Sequence, residues 1–324
     1  WPVKAQMGHS EDIVPCIRCL QCYHVSTDHK NVQCSVNPRF NREKRVPLIL
    51  PVTGHPKHLV IVGGGPAGIT CALTASRRGH QVTLLEKEPV LTGKLNIACH
   101  GEHKADLRRF RDYLLTQLRK SSVTVHTGVL ADTDVVRGLK PDALVIAVGA
   151  TPSRIPLPGV DGDNCMQISE FLQSPDTSLQ HYIIIGGGSV GCETALDLAE
   201  KGKDVSIIEM TDCLASASND LYRLALSEHF ARYDNLHTYL NSACQSIDAD
   251  GVNVLTNGAS THISGDKVLL SLGFRPDAKQ VSSLYGIVPD TYYVGDCERV
   301  ATVAEAVNNA YFIGANVFQE QDII

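Results

Sequence analysis

The chain carries one block of sequence twice. Leu59-Val-Ile-Val-Gly-Gly-Gly-Pro-Ala-Gly68 lies over Tyr182-Ile-Ile-Ile-Gly-Gly-Gly-Ser-Val-Gly191 at an offset of 123 residues, and the register holds through Gly79/Gly202 and Val82/Val205 to Glu86/Glu209. Each copy reads as a short apolar strand, a glycine turn, a helix and a second strand that ends in an acid. A strand, a helix and a second strand in that order form a crossover unit with parallel strands, so the repeat restricts the chain to an α/β fold built on parallel sheets. Val268-Leu-Leu-Ser-Leu-Gly273 mirrors Leu144 to Gly149 at an offset of 124 and closes the second copy. Two such folds fit 324 residues, a length that by itself allows about two domains.

The glycines of each turn have separate tasks. In Gly63-x-Gly65-x-x-Gly68 the first permits the tight turn, the second lets a pyrophosphate approach the backbone, and the third allows close packing of helix on strand. The amides at the start of the helix then face the anion, and Pro66 gives up an N–H that has no helical partner. Glu86, at the end of the next strand, is placed to accept both hydroxyls of a ribose. This ordered set predicts a Rossmann-like dinucleotide site. Gly186, Gly188, Gly191 and Glu209 predict a second one. Glu209 would repel a 2′-phosphate and no arginine follows before Arg223, so NADH is expected there in preference to NADPH. The competing reading is a duplicate that holds a nucleotide structurally or binds nothing.

Cys16-x2-Cys19-x2-Cys22-x11-Cys34 places three thiols in one loop and returns a fourth from beyond it. That spacing suits the corners of a 4Fe-4S cubane. Structural zinc is the alternative, although zinc sites usually draw two paired knuckles separated by a longer loop. His24 could stand in as a ligand but reads more simply as a loop residue. The other seven cysteines, Cys71, Cys99, Cys165, Cys192, Cys213, Cys244 and Cys297, show no close pairing. The first nucleotide fold therefore offers no dithiol of the kind a disulfide reductase needs beside its flavin.

Between these motifs, Pro47 to Pro56 reads as a linker and the proline-rich Thr151 to Gly159 as a crossing from one nucleotide fold to the next. Leu107, Phe110, Leu114 and Leu118 predict a helix over 106–120, and Val123–Thr127 and Ala143–Val148 read as strands. Near the C-terminus Tyr292-Tyr-Val-Gly-Asp296 is a short strand ending in Gly295-Asp296, followed by a helical pattern over 303–317. An aspartate there can bind the hydroxyls of a ribityl chain, with the positive end of the helix aimed beside it.

Lys+Arg 29 against Asp+Glu 35 gives a net charge of -6, the wrong sign for a nucleic-acid or anionic-membrane partner. The uncharged stretch Leu59 to Ser76 is broken by glycines and a proline and does not read as a membrane span. Eleven cysteines, four of them crowded into the first 34 residues, fit a reducing cytoplasm better than a secreted disulfide framework. The chain starts at Trp1 with no signal pattern, so a fragment or processed piece is expected.

As an ordered set, Pro15-Cys-Ile-Arg-Cys19, Cys34-Ser-Val-Asn-Pro38, the first GGGPAG, Gly93-Lys-Leu-Asn96, Val148-Gly-Ala-Thr-Pro152, GGGSVGCE, Gly273-Phe-Arg-Pro276 and Val294-Gly-Asp-Cys297 resemble one family. It is the C-terminal half of the old yellow enzyme-like flavin/iron–sulfur reductases, of the 2,4-dienoyl-CoA reductase and enoate reductase type. Trimethylamine dehydrogenase is a more distant relative. The resemblance implies FAD at the first turn, with further contacts at Ala67, Lys94, Lys104, Val129 and Gly149, where Lys94 stands at a position that is often Gln in the family. It implies an iron–sulfur segment over 1–56, an FAD domain over 57–150 plus 273–324, and an inserted NAD(H) domain over 151–272. It also implies an upstream TIM barrel holding FMN and the substrate site, in the same polypeptide or as a separate subunit, and it allows a homo-oligomer.

The expected activity is an NADH-dependent ene-reductase, with electrons passing from NADH through FAD and the cluster to FMN. No proton donor for the reduction of carbon can be named in this chain. The alternatives are the matching half of an amine dehydrogenase and a non-catalytic nucleotide-binding remnant with structural zinc.

Overall fold

The computed structural model describes residues 2–318. The N-terminal segment holds two short helices, α1 (Pro2–Gln6) and α2 (Gln21–Thr27). The first repeat folds as β1 (His58–Val62), α3 (Pro66–Arg77) and β2 (Gln81–Glu86). It continues through α4 (Leu95–Ala98), α5 (Ala105–Arg119), β3 (Thr124–Thr127), α6 (Thr133–Leu139), β4 (Ala143–Ile146) and β5 (Ala150–Pro152). The second repeat runs β6 (Cys165–Gln167), α7 (Ile168–Phe171), β7 (His181–Ile185), α8 (Ser189–Glu200), β8 (Asp204–Ile208), α9 (Asp220–Phe230) and β9 (Leu236–Tyr239). Then come β10 (Ser242–Asp248), β11 (Gly251–Thr256), β12 (Ala259–Ser264), β13 (Lys267–Leu270), β14 (Phe274–Pro276), α10 (Ala278–Leu284), β15 (Thr291–Tyr293) and α11 (Val303–Asn316).

Two five-stranded parallel sheets result, in the orders β15-β4-β1-β2-β3 and β6-β13-β7-β8-β9. The central strands are buried along nearly their whole length, as a parallel sheet covered on both faces requires. In the first sheet alternate residues part to opposite faces. Leu59 and Ile61 join the core built with α3, α5 and α11, whereas Val60 and Val62 join a second core with Val136 and Leu284. Phe110, Leu114 and Leu118, four residues apart on α5, are all buried.

The second sheet repeats the division. Tyr182, Ile184, Val205 and Ile207 pack toward α7, α8 and α9, and Ile183, Ile185 and Ile208 pack toward Ile247, Val252, Val254 and Ile263. Those last four belong to the antiparallel meander β10-β11-β12, which covers this face as α6 and α10 cover the equivalent face of the first sheet. The sequence reading assigned no element to this stretch.

The chain divides into two compact units. One holds the residues up to Thr151 together with those from Arg275 onward, and the other holds Pro152–Phe274. The N-terminal segment before β1 thus belongs to the first unit.

Candidate functional site

The first turn is built by two close approaches. Gly63 has φ +114, and a Cβ there would lie 2.2 Å from the Ala147 carbonyl oxygen; a Cβ on Gly68 would lie 1.9 Å from that of Gly63. A Cβ on Gly65 would meet nothing within 4 Å, so the space over the start of α3 is open to a ligand. Glu86 is buried and its carboxylate is fixed: one oxygen accepts from Gly64 N–H at 2.7 Å, the other from Glu88 N–H at 2.9 Å. Each oxygen keeps a second lone pair for an incoming hydroxyl.

Distant segments close on this turn. Thr92 N–H donates to the Gly64 carbonyl at 2.7 Å, which brings the Gly93-Lys94 loop against Gly65. Lys94 Nζ donates to Asp296 Oδ2 at 2.5 Å. A Cβ on Gly295 would lie 3.0 Å from that of Ala67, so Gly295-Asp296 sits on the first turn of α3. Val129 N–H donates to the Glu86 carbonyl at 2.9 Å, beside the acid. Gly149, at φ +75, follows β4, and Lys104 is half-buried at the N-cap of α5.

The second turn repeats the first in detail. A Cβ on Gly186 would lie 2.3 Å from the Ser271 carbonyl oxygen, one on Gly191 2.3 Å from that of Gly186, and one on Gly188 would meet nothing within 4 Å. Glu209 accepts from Gly187 N–H at 2.7 Å, and from the N–H and hydroxyl of Thr211 at 2.8 and 2.9 Å. Ala215 N–H closes on the Gly187 carbonyl at 2.7 Å, as Thr92 does on Gly64, and both residues adopt a left-handed backbone. A cleft of about 450 Å³ lined by Asp212, Cys213, Leu214, Arg223, Thr238 and Leu240 lies in the same unit, and no motif announced it.

All four N-terminal cysteines are free thiols: Cys16 and Cys19 lie in a loop shaped by left-handed residues at Arg18 (φ 50) and Leu20 (φ 57), whereas Cys22, expected in the same loop, falls in the first turn of α2, and Cys34 lies beyond that helix. Such reversals turn backbone N–H groups inward into an anion-holding concavity. Arg18 N–H points to Cys16 Sγ at 3.4 Å, and Cys19 Sγ lies 3.1 Å from Ser35 Oγ. Cys34 is half-buried, and its burial pushes the thiol up while backbone hydrogen bonds from Val36 and Asn37 pull it down. A tetrahedral zinc site with Zn–S near 2.3 Å sets its sulfurs about 3.8 Å apart. Among the described residues, the groups of three ligand atoms within 4.8 Å of one another are His9/Glu11/Asp12 and Asp248/Asp250/His262, and neither includes a cysteine. Four cysteine thiols are a donor set that a 4Fe-4S cluster can take, one thiolate to each iron. His24 lies on α2, 3.9 Å from Asp28.

The remaining cysteines are buried or half-buried, and burial pushes the Cys71 and Cys192 thiols up to about 12. Those two stay protonated and inert at neutral pH.

Residues 57–310 match the model of the pyridine nucleotide-disulphide oxidoreductase family. A "NADH oxidase" of Thermoanaerobacter brockii is 32% identical over 96% of this chain and 49% of its own length. A "Cinnamate reductase" of Clostridium sporogenes is 27% identical over 98% of this chain and 47% of its own. The solved structure of a 2-naphthoyl-CoA reductase superposes with a TM-score of 0.91 at 28% identity, over 98% of this chain and 48% of that one. The chain therefore spans about half the length of these relatives. Among the described residues no helix is long and apolar enough to cross a membrane.

Proposed function

The chain belongs to the pyridine nucleotide-disulphide oxidoreductase family, and on that premise we propose that it is the NADH-oxidising, electron-transferring part of a flavin/iron–sulfur ene-reductase. The observation that carries the reading is the pair of open glycine turns in separate units, each with a clamped acid, together with a four-cysteine segment in the same unit as the first turn. The bound groups supply hydride acceptance from NADH at FAD and one-electron delivery through a 4Fe-4S cluster.

The protein's own residues bind and orient. At the first turn the α3 amides beyond Gly65 receive the pyrophosphate of FAD, Glu86 takes the ribose, and Asp296 lies at the ribityl end. Lys94 neutralises Asp296 beside the open turn. Gly186, Gly188, Gly191 and Glu209 do the same for NADH, the acid on the ribose selecting against a 2′-phosphate. Cys16, Cys19, Cys22 and Cys34 hold the cluster. Electrons leave toward an FMN-bearing barrel that reduces an activated C=C bond, such as that of an enoate, a dienoyl-CoA or an enone. The names of the cinnamate and naphthoyl-CoA reductases support this substrate class.

Anaerobic addition of NADH to the purified chain tests the reading: the yellow of bound flavin should bleach. A colourless protein that contains zinc and does not respond to NADH overturns it. Cys19→Ser should abolish the brown cluster absorbance and leave flavin bound, because thiols and glycine turn are separate segments. Full retention of iron and sulfide in that variant refutes the ligand assignment.

A further inference from the structure

Helix α11 starts at the first glycine turn and runs past the cysteine loop. Its start is fixed by the Thr302–Glu305 capping box, and Ala301, just before the cap, donates its N–H to Asp296 Oδ1 at 3.2 Å. On the second turn Asn308 is buried. Its Nδ2 donates to the Cys34 carbonyl at 3.1 Å and to the Ala304 carbonyl at 2.9 Å, and its Oδ1 accepts from Arg42 Nη1 at 3.0 Å. Arg42 also donates to the Pro38 carbonyl at 3.1 Å and to the Gln33 side chain at 3.3 Å. The guanidinium lies 5.1 Å from the centre of the Phe312 ring, one turn beyond Asn308.

A helix that only needed to pack would bury an apolar residue at position 308. An amide there costs desolvation unless its donors and acceptor are all used, and here they are. What the amide fixes is the loop that carries Cys34, the cysteine separated from the other three, and it fixes it to the helix that opens beside Asp296.

We propose that Asn308, locked by Arg42, is the positioning residue that sets Cys34 relative to the flavin turn. The inference rests on the reading that the first turn holds FAD and the cysteines a 4Fe-4S cluster. Cluster potentials respond to hydrogen bonding and solvent exposure around the ligands, and loss of an outer partner of a metal ligand changes affinity or activity by about 10- to 100-fold. In the assay NADH gives up a hydride and becomes NAD+. The hydride's two electrons would then leave singly, by way of a bound cluster, to two ferricenium ions, which become ferrocene, and its proton would go to solvent.

The test uses the chain loaded with flavin and cluster, in anaerobic stopped flow with NADH and ferricenium, together with electron paramagnetic resonance and a redox titration of the cluster. Asn308→Leu should bleach flavin at the wild-type rate, delay cluster reduction about tenfold, and shift both the cluster's spectrum and its midpoint potential. Asn308→Asp, which keeps an acceptor for Arg42 and loses the donor to Cys34, should do the same. Loss of iron with flavin retained in either variant also supports the positioning role. Wild-type cluster kinetics, spectrum and potential in Asn308→Asp overturn it, including where Asn308→Leu fails to fold. Absence of iron from the wild-type chain overturns the parent reading and this one with it.

Discussion

Glu86 and Glu209 are each held by a backbone N–H of their own glycine turn, at 2.7 Å in both cases, so the acid at the end of the strand is oriented before any ligand arrives. In the proposed function the carboxylate of Glu209 acts as a selector. Glu209→Ser should narrow the preference for NADH over NADPH in flavin reduction by about tenfold, a loss typical of one charge-assisted contact. A wild-type chain that prefers NADPH would show that the acid selects for something else.

His80 carries a different consequence. It is buried, its Nδ1 faces the Lys57 N–H at 3.4 Å, and its Nε2 has no partner among the described residues. Burial, then the nearby Arg78 and Lys57 charges, holds it below the ordinary 6.5. A lowered histidine pKa means that the unfolded chain binds the extra proton first. The stability this group contributes is therefore complete above about pH 6.5 and is lost as the pH falls through the window between its unfolded and folded values. His80→Asn should flatten the fall in melting temperature between pH 7.5 and 5, and parallel curves for the two proteins would refute this. Lys94 shows the limit of reading a residue alone: its partner Asp296 is 202 positions away.

At the scale of elements, the two glycine turns separate binding from folding. A Cβ on Gly68 would lie 1.9 Å from backbone, so Gly68→Ala should destabilise the chain by about 1–3 kcal/mol through forced movement of α3 against β1. Gly65, with φ -74 and open space beyond, accepts a methyl. Gly65→Ala should leave the apoprotein's melting temperature within about 2 °C and still weaken FAD, because the methyl occupies the path of the pyrophosphate. Equal losses of stability in the two variants, measured by thermal melts of the apoproteins, would sink this distinction. The elements also show where the duplication diverged. Both sheets need both faces covered, and α6 with α10 does this for the first while the β10-β11-β12 meander does it for the second. In that stretch Val252 and Val254 are buried on either side of Asn253, with Leu255 exposed, and Ile263 is buried between His262 and Ser264, a period-two signal that the glycine motifs overshadowed.

Taken whole, the chain belongs to the pyridine nucleotide-disulphide oxidoreductase family and covers about half of relatives such as the NADH oxidase and the cinnamate reductase. Its resemblance to the C-terminal half of the flavin/iron–sulfur reductases holds in those comparisons. Reducing a carbon–carbon double bond needs a flavin stacked on the substrate with a positioned acid nearby. In the proposed function the motifs of this chain account for FAD, NADH and a cluster. With those groups loaded, NADH and a one-electron dye should turn over, and NADH with an enoyl-CoA or cinnamate should give no product until an FMN barrel is supplied. Enone reduction by the chain alone would overturn this division of labour.

The order of strand, glycine turn, helix and acid was legible in the sequence because each of those steps is a local constraint. A tight turn with φ above zero requires glycine, a strand buried on both faces requires a continuous apolar run, and an acid at a strand end is fixed by chain connectivity. What only the tertiary structure decided are meetings across the chain: Lys94 with Asp296, and Cys34 with Asn308 across 274 positions. A hydrogen bond between segments so far apart leaves no periodicity in either one, since its partner is set by the packing of α11 on α3 and not by any neighbour in sequence.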